Sequence, residues 1–249
     1  MLPLKKGRMR EEGLTLAERL LVLFDIDATL VTTSRAGIKS MEDAGRELYF
    51  ETFSIEGVNF AGRLDPLIIA DLLVANGLEP TERRCEEMRA GYGRNLGMRL
   101  RVAGIANALA GVANLVDRLD GNDRFSLGLL TGNFPETGRM KLRACGIDSD
   151  RFPIQVWGCD SPHEVPARDH LPAVAFERFE AHFGEPIQGD RACVIGDTPH
   201  DVACAKAHGC RSIGVATGSF DVSDLESAGA DLVVKDLRQT DAIVAWLEG

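Results

Sequence analysis

The chain has 249 residues, enough for one large α/β domain or a core with a smaller insertion. Its composition, 45% hydrophobic and 27% charged, is that of a globular protein rather than a disordered or fibrous one. A formal charge of −10 argues against electrostatic binding to nucleic acid or an anionic membrane, and no apolar stretch approaches the roughly 20 residues of a membrane span.

Residues 1–19 read as a loosely held arm, charged and without the apolar centre of a signal peptide. A cytoplasmic protein with reduced cysteines is therefore expected, since none of the six forms a Cys-x-x-Cys pair. Leu21-Val22-Leu23-Phe24 is an apolar run that fits a strand buried in a parallel sheet. Asp25 and Asp27 stand at its C-terminal end, where open α/β sheets bind ligands. The first carboxylate can attack an electrophile while the second moves protons, and both can help hold a hard cation.

The spacing then predicts helix from Ala36 to about Phe53, a loop at 60–66, and an amphipathic helix from Leu67 to Asn76 stopped by Gly77. Thr81 caps a further helix to about Leu96, and Gly111–Leu119 is another. Phe125–Leu130 reads as the second strand of the sheet, followed by Thr131-Gly132-Asn133 and a helix from Glu136 to Cys145. A short strand at Ile154–Trp157, a helix from Leu171 to Phe183 and a strand at Ala192–Ile195 come next. Gly196-Asp197 and Asp201 then lead into a helix ending near His208; strands follow at Arg211–Val215 and Asp231–Val234, with Asp221 and Asp224 opening a surface helix between them.

Strands alternating with helices imply a Rossmann-like, doubly wound parallel sheet. About a hundred helix-rich residues separate the first strand from the second, far more than a crossover needs. The expected organisation is thus an α/β core, residues 20–32 and 107–249, with a helical insertion at 33–106 hinged near Thr32-Thr33 and Asn107. Nothing in the sequence sets an oligomeric state.

Asp25-x-Asp27, Thr131-Gly132-Asn133, the Arg168 region and Asp197-x-x-x-Asp201 each follow a strand, in this order. With them the chain resembles the haloacid dehalogenase-like hydrolase superfamily, and most its phosphoglycolate-phosphatase-like branch, from about Leu20 onward. The match is Asp25, Asp27 and Thr29 to the first motif, Thr131 to the second, and Gly196-Asp197 with Asp201 to the fourth. The third motif departs from its commonest form. No Lys-Pro lies between Phe152 and Leu171, and Ala167-Arg168-Asp169 looks like the branch in which Arg replaces Lys. Lys141 competes for that role, but helical phase after Asn133 is expected to turn it elsewhere. A second departure is Ala28, where the family usually has Gly.

The resemblance implies that Asp25 is a nucleophile forming an aspartyl-phosphate and that Asp27 is the acid and base. It implies magnesium held by Asp25, the Asp27 carbonyl and Asp197, with Asp201 as a further ligand or an anchor behind them. Thr131 and the backbone N–H groups of Gly132 and Asn133 would bind the phosphoryl oxygens, as would Arg168. Four carboxylates facing a phosphate dianion make such cations necessary. Gly62-Arg63-Leu64-Asp65 resembles the cap loop of phosphoglycolate phosphatases, so Arg63 would reach a substrate carboxylate; an exposed loop with Asp65 opening a helix is the plainer alternative. His200 would line the entrance or lie on the surface; His163 and His170 read as loop residues. The expected activity is magnesium-dependent hydrolysis of a small phosphomonoester, phosphoglycolate or one like it, under a helical cap. Asp27 argues against a dehalogenase, and the insertion has no lysine other than Lys39 for a phosphonate hydrolase. A phosphosugar mutase and a non-catalytic binding module complete the alternatives.

Overall fold

A computed structural model describes residues 19–249. The arm assigned to residues 1–19 lies outside them except for Arg19, whose guanidinium donates to Ser126 Oγ at 3.3 Å and lies 5.0 Å from the Phe183 ring.

Six parallel strands form the sheet: β1 (Leu20–Phe24), β4 (Phe125–Leu130), β5 (Ile154–Val156), β6 (Ala192–Gly196), β7 (Arg211–Val215) and β8 (Leu232–Val234). Their order is β5-β4-β1-β6-β7-β8, so the chain builds outward from β1 on one side and then on the other. The crevice at such a reversal is where ligands sit in this architecture. Alternate side chains of β1 enter opposite layers. Val22 and Phe24 join one apolar cluster with α4 (Val112–Asp120) and α9 (Thr240–Glu248), while Leu21 and Leu23 join another with α6 (Leu171–Phe183).

Helix starts position the loop after each strand. Pro135 opens α5 (Pro135–Ala144), Pro172 lies in the first turn of α6, and Pro199 opens α7 (Pro199–Ala207). A proline there gives up a backbone donor that has no intrahelical acceptor anyway. Short loops are thereby held at the strand ends, and these carry the polar residues of interest. Asp221 and Asp224 form the capping box of α8 (Val222–Ser227), as their spacing suggested.

Between β1 and β4 the chain forms α1 (Ala36–Leu48), α2 (Asp65–Ala75) and α3 (Glu82–Arg99), which surround a third apolar cluster that includes Met41, Phe53, Leu72 and Leu96. A two-residue antiparallel ribbon, β2 (Val31–Thr32) on β3 (Asn107–Ala108), ties the two junctions of this segment together. The first helix is shorter than its periodicity predicts. It stops at Leu48, and the chain doubles back so that the Phe53 ring lies where a Cβ on Gly45 would be.

Candidate active site

Hydrogen-bond register brings the polar residues to one level. Phe24 pairs with Leu129 on one side and Ile195 on the other, so Asp25, Thr131 and Asp197 all emerge just past the strands' C-terminal ends. Asp25 N donates to Ile195 O at 2.9 Å, and Thr131 N to Val156 O at 3.1 Å. The carboxylates of Asp25, Asp197 and Asp201 are buried, with oxygens within 4.8 Å of one another.

Arg168 stands in a short helical turn ahead of α6 and reaches into this group. It donates through one nitrogen to Asp25 Oδ1 at 3.1 Å and to Asp201 Oδ1 at 2.5 Å, and through another to the carbonyl of Gly62 at 3.3 Å. Burial works against its charge, but Asp201 and Asp25 outweigh that and hold the guanidinium firmly protonated. Its Nε is buried without an acceptor.

One guanidinium does not balance three carboxylates. Burial pushes Asp197 up to about 8, aided by Asp25 and Asp201 and opposed by Arg168. Asp25 is pushed up to about 6 by burial; Arg168 opposes the rise, Asp201 and Asp27 add to it, and a hydrogen bond from Thr131 lowers it. Excess buried negative charge with an all-oxygen donor set is what a hard divalent cation fits, since it displaces the proton that Asp197 otherwise holds. The donors differ in readiness. Asp201 Oδ2 accepts from Thr198 N at 3.1 Å and Thr198 Oγ1 at 2.7 Å, closing the capping box of α7. With Oδ1 on Arg168, both Asp201 oxygens are engaged, which suits the anchor behind a ligand better than the ligand itself. The carboxylate of Asp197 packs against Gly218, where any Cβ would collide with it.

Lys141 does not turn away. Asn133 lies before α5, so phase counted from it misleads; within the helix Thr137, Gly138, Lys141 and Leu142 form the buried face. Lys141 Nζ donates to Asp27 Oδ2 at 2.5 Å and to Asn133 Oδ1 at 2.6 Å. The Asn133 amide donates in turn to Asp27 Oδ2 at 2.9 Å and Thr131 Oγ1 at 2.8 Å. Burial pulls the ammonium toward neutrality, but Asp27, Tyr92 and Asp65 outweigh it and keep the charge. The Lys141 side chain is 5% exposed and that of Asp27 43%, so the carboxylate alone of this pair meets the cavity openly.

The inserted helices close over these groups. Asp65 N donates to Gly132 O at 2.7 Å, so the Arg63 backbone lies where a Gly132 side chain would project. Asp65 opens α2, as the plainer alternative for this loop had it, but is buried rather than exposed; its Oδ2 accepts from Phe134 N at 3.1 Å and Thr137 Oγ1 at 3.5 Å, at the start of α5. Arg63 lines the cavity, but its guanidinium pairs with Asp71 of α2 rather than standing open for a carboxylate. His200 is exposed and lies against Gly62. The His163 ring packs 4.3 Å from that of His170, which lies in the short helical turn of Arg168 rather than in a loop. Ala28 takes φ 57°, the left-handed conformation that glycine adopts freely, and its carbonyl accepts from Thr217 Oγ1 at 2.5 Å. Enclosed among these elements is a cavity of about 560 Å³, lined by Asp25, Asp27, Thr131, Lys141, Arg168 and Asp197 on the strand side.

A HAD-hydrolase-like family matches residues 170–240, which carry α6 through β8 with Asp197 and Asp201. No curated protein matches the sequence. Among solved structures, a hydrolase from Pseudomonas syringae is 21% identical with a TM-score of 0.68, over 92% of this chain and 99% of that one. A predicted phosphoglycolate phosphatase from Haemophilus somnus is 20% identical with a TM-score of 0.65, over 92% and 100%. CbbY from Rhodobacter sphaeroides, in complex with phosphate, is 18% identical with a TM-score of 0.69, over 89% and 96%. Residues 170–240 thus resemble HAD-like hydrolases in sequence, and the chain as a whole shares the fold of these solved structures.

Proposed function

We propose that this protein is a magnesium-dependent phosphatase that hydrolyses a small phosphorylated metabolite through an aspartyl-phosphate on Asp25. The observation that carries the reading is the buried group of Asp25, Asp197 and Asp201 around Arg168 at the C-terminal ends of β1 and β6. Asp25 attacks phosphorus in line with the departing oxygen, and Asp27 gives that oxygen a proton. Asp27 then takes a proton from the water that releases phosphate. Lys141 and Asn133 both hold Asp27 Oδ2, which leaves Oδ1 for proton transfer. Arg168 fixes Asp25, while Thr131 and the backbone of the Gly132 loop supply donors to the phosphoryl oxygens. A magnesium ion held by Asp25, Asp197 and the Asp27 carbonyl would neutralise charge on the transferring group.

The inserted helices serve as the cap. The contacts of Asp65 with Gly132 and Phe134, and of Arg168 with Gly62, are those of a closed position that excludes water. A cytoplasmic location suits six unpaired cysteines, and none of the described helices is long and apolar enough to cross a membrane.

The test is phosphate release from a panel of phosphomonoesters, phosphoglycolate included, with magnesium and then with chelator, alongside Asp25→Asn. Magnesium-dependent release that vanishes in the variant is expected. Release that survives Asp25→Asn would overturn the nucleophile, and no release from any ester would overturn the activity.

A further inference from the structure

The two sides of the cavity differ in chemistry. The strand side is ionic, whereas the side formed by the insertion is lined by Ile38 and Met41 of α1, Val58 and Phe60 of the following loop, and Ile68 of α2. Ile38, Val58 and Phe60 are only half-buried, so they keep apolar surface for an occupant to cover. A two-carbon acid such as phosphoglycolate has no apolar body to offer them. The volume of about 560 Å³ also falls in the range of sites that enclose larger ligands, roughly 300–1,000 Å³.

One cation on this side is unspent. Arg35 lines the cavity, is exposed, and its guanidinium makes no hydrogen bond or ion pair among the described residues. The other lining cations are engaged: Arg63 by Asp71, Lys141 by Asp27, and Arg168 by Asp25 and Asp201. Arg35, Ile38 and Met41 are spaced three apart at the start of α1, so they follow one another down one face, from exposed to buried.

The backbone singles out the same residue. Arg35 has φ 62° and ψ 22°, directly after Ser34 at φ 51°. Two successive left-handed residues with side chains are unfavourable where glycine would sit freely. Arg35 supplies no side-chain cap to α1 in return. Strain of this kind at a ligand cavity points to a use for the side chain there.

Resting on the phosphatase reading, we propose that the substrate's alcohol portion is an apolar body packed on Ile38, Met41, Val58, Phe60 and Ile68, ending in a second anionic group bound by Arg35. The phosphoryl group then occupies the ionic side and the distal anion meets the mouth. Arg35 is the specificity residue, and the apolar wall sets the length between the two anions.

Binding of straight-chain alkylphosphonates tests this without requiring turnover. Two series of increasing length, one methyl-ended and one carboxylate-ended, are titrated calorimetrically into the full chain with magnesium, while hydrolysis of the matching phosphate esters is followed separately. Affinity should rise about fourfold per methylene until the wall is covered. Carboxylate-ended ligands should bind more tightly than methyl-ended ones of the same length. Arg35→Gly should cut that ratio about tenfold without lowering the melting temperature, because glycine relieves the left-handed strain. Ile38→Ser should flatten the dependence on length. Affinity independent of length, or a ratio unchanged in Arg35→Gly, would overturn the proposal. Hydrolysis failing while the binding pattern holds would instead overturn the phosphatase reading and leave the ligand assignment standing.

Discussion

The ammonium of Lys141 lies 2.5 Å from the carboxylate of Asp27, although 114 residues separate them in sequence. Together with Asn133 it fixes one oxygen of the residue proposed to move protons. Lys141→Met keeps the aliphatic stem and removes the charge. Turnover number should fall about 10²-fold, the scale of misplaced acid–base catalysis, with KM changing much less. Steady-state kinetics decide it: a change confined to KM would make Lys141 a substrate contact instead.

Asp197 and Asp201 should separate under mutation. Asp197→Ala removes a carboxylate with no protein hydrogen bond among those described, so magnesium affinity should drop sharply with little change in melting temperature. Asp201→Ala removes a helix cap and the second partner of Arg168, and should destabilise the fold by about 1–3 kcal/mol. Calorimetric magnesium titration and thermal melts of both variants provide the check. Equal loss of magnesium binding in the two would make Asp201 a direct ligand.

Ala28 holds a left-handed backbone at the turn after Asp27. Ala28→Gly should raise stability by about 1 kcal/mol, since the steric penalty for a Cβ in that region is larger than the entropy glycine adds to the unfolded chain. Urea unfolding should show a higher midpoint at unchanged slope. A lower midpoint would mean that the methyl group's own packing outweighs the strain.

Asp65 links stability to pH. Burial pushes its carboxyl up to about 7, with Lys141 opposing and Asp27 adding to the rise. The folded protein therefore keeps a proton that the unfolded chain releases near 3.8. Its contribution to stability is fully present below the unfolded value and is lost as pH climbs through about 7. Asp65→Asn abolishes this titration, so wild type should lose stability relative to the variant between about pH 4 and pH 8. A gap in melting temperature that stays constant across that window would show that Asp65 titrates normally.

Much of the core was legible because each signal is local. β4, β7 and α6 begin and end where apolar runs and turn residues placed them, and the acidic residues follow strand ends that the sequence marks directly. Arg168 was reachable through the family resemblance, as an Arg ahead of a helix in place of the third motif's Lys. Lys141 was named as a competitor but turned the wrong way, because helical phase counted from Asn133 rather than from Pro135 hides the inward stripe of Thr137, Gly138, Lys141 and Leu142. Asp65 could be read as a loop residue or a helix start, but its acceptor role depends on Phe134 N, 69 residues away, and no periodicity reports that. The ribbon of Val31–Thr32 with Asn107–Ala108 is too short to leave a pattern. Arg63 looked free because its partner, Asp71, sits on the next helix and was read only as part of it.

The central place of β1 has a consequence for how the molecule is made. Its neighbours are β4 and β6, and Ile195, the last β6 partner of β1, is reached only long after β1 itself has been synthesised. Until then one edge of the first strand has no hydrogen-bond partner, and Asp25 lacks Arg168, which lies 143 residues downstream. Contacts of such long separation close late and slowly. A growing chain therefore presents Asp25 long before the residues that come to surround it, so ribosome-bound fragments ending before β6 should remain protease-sensitive.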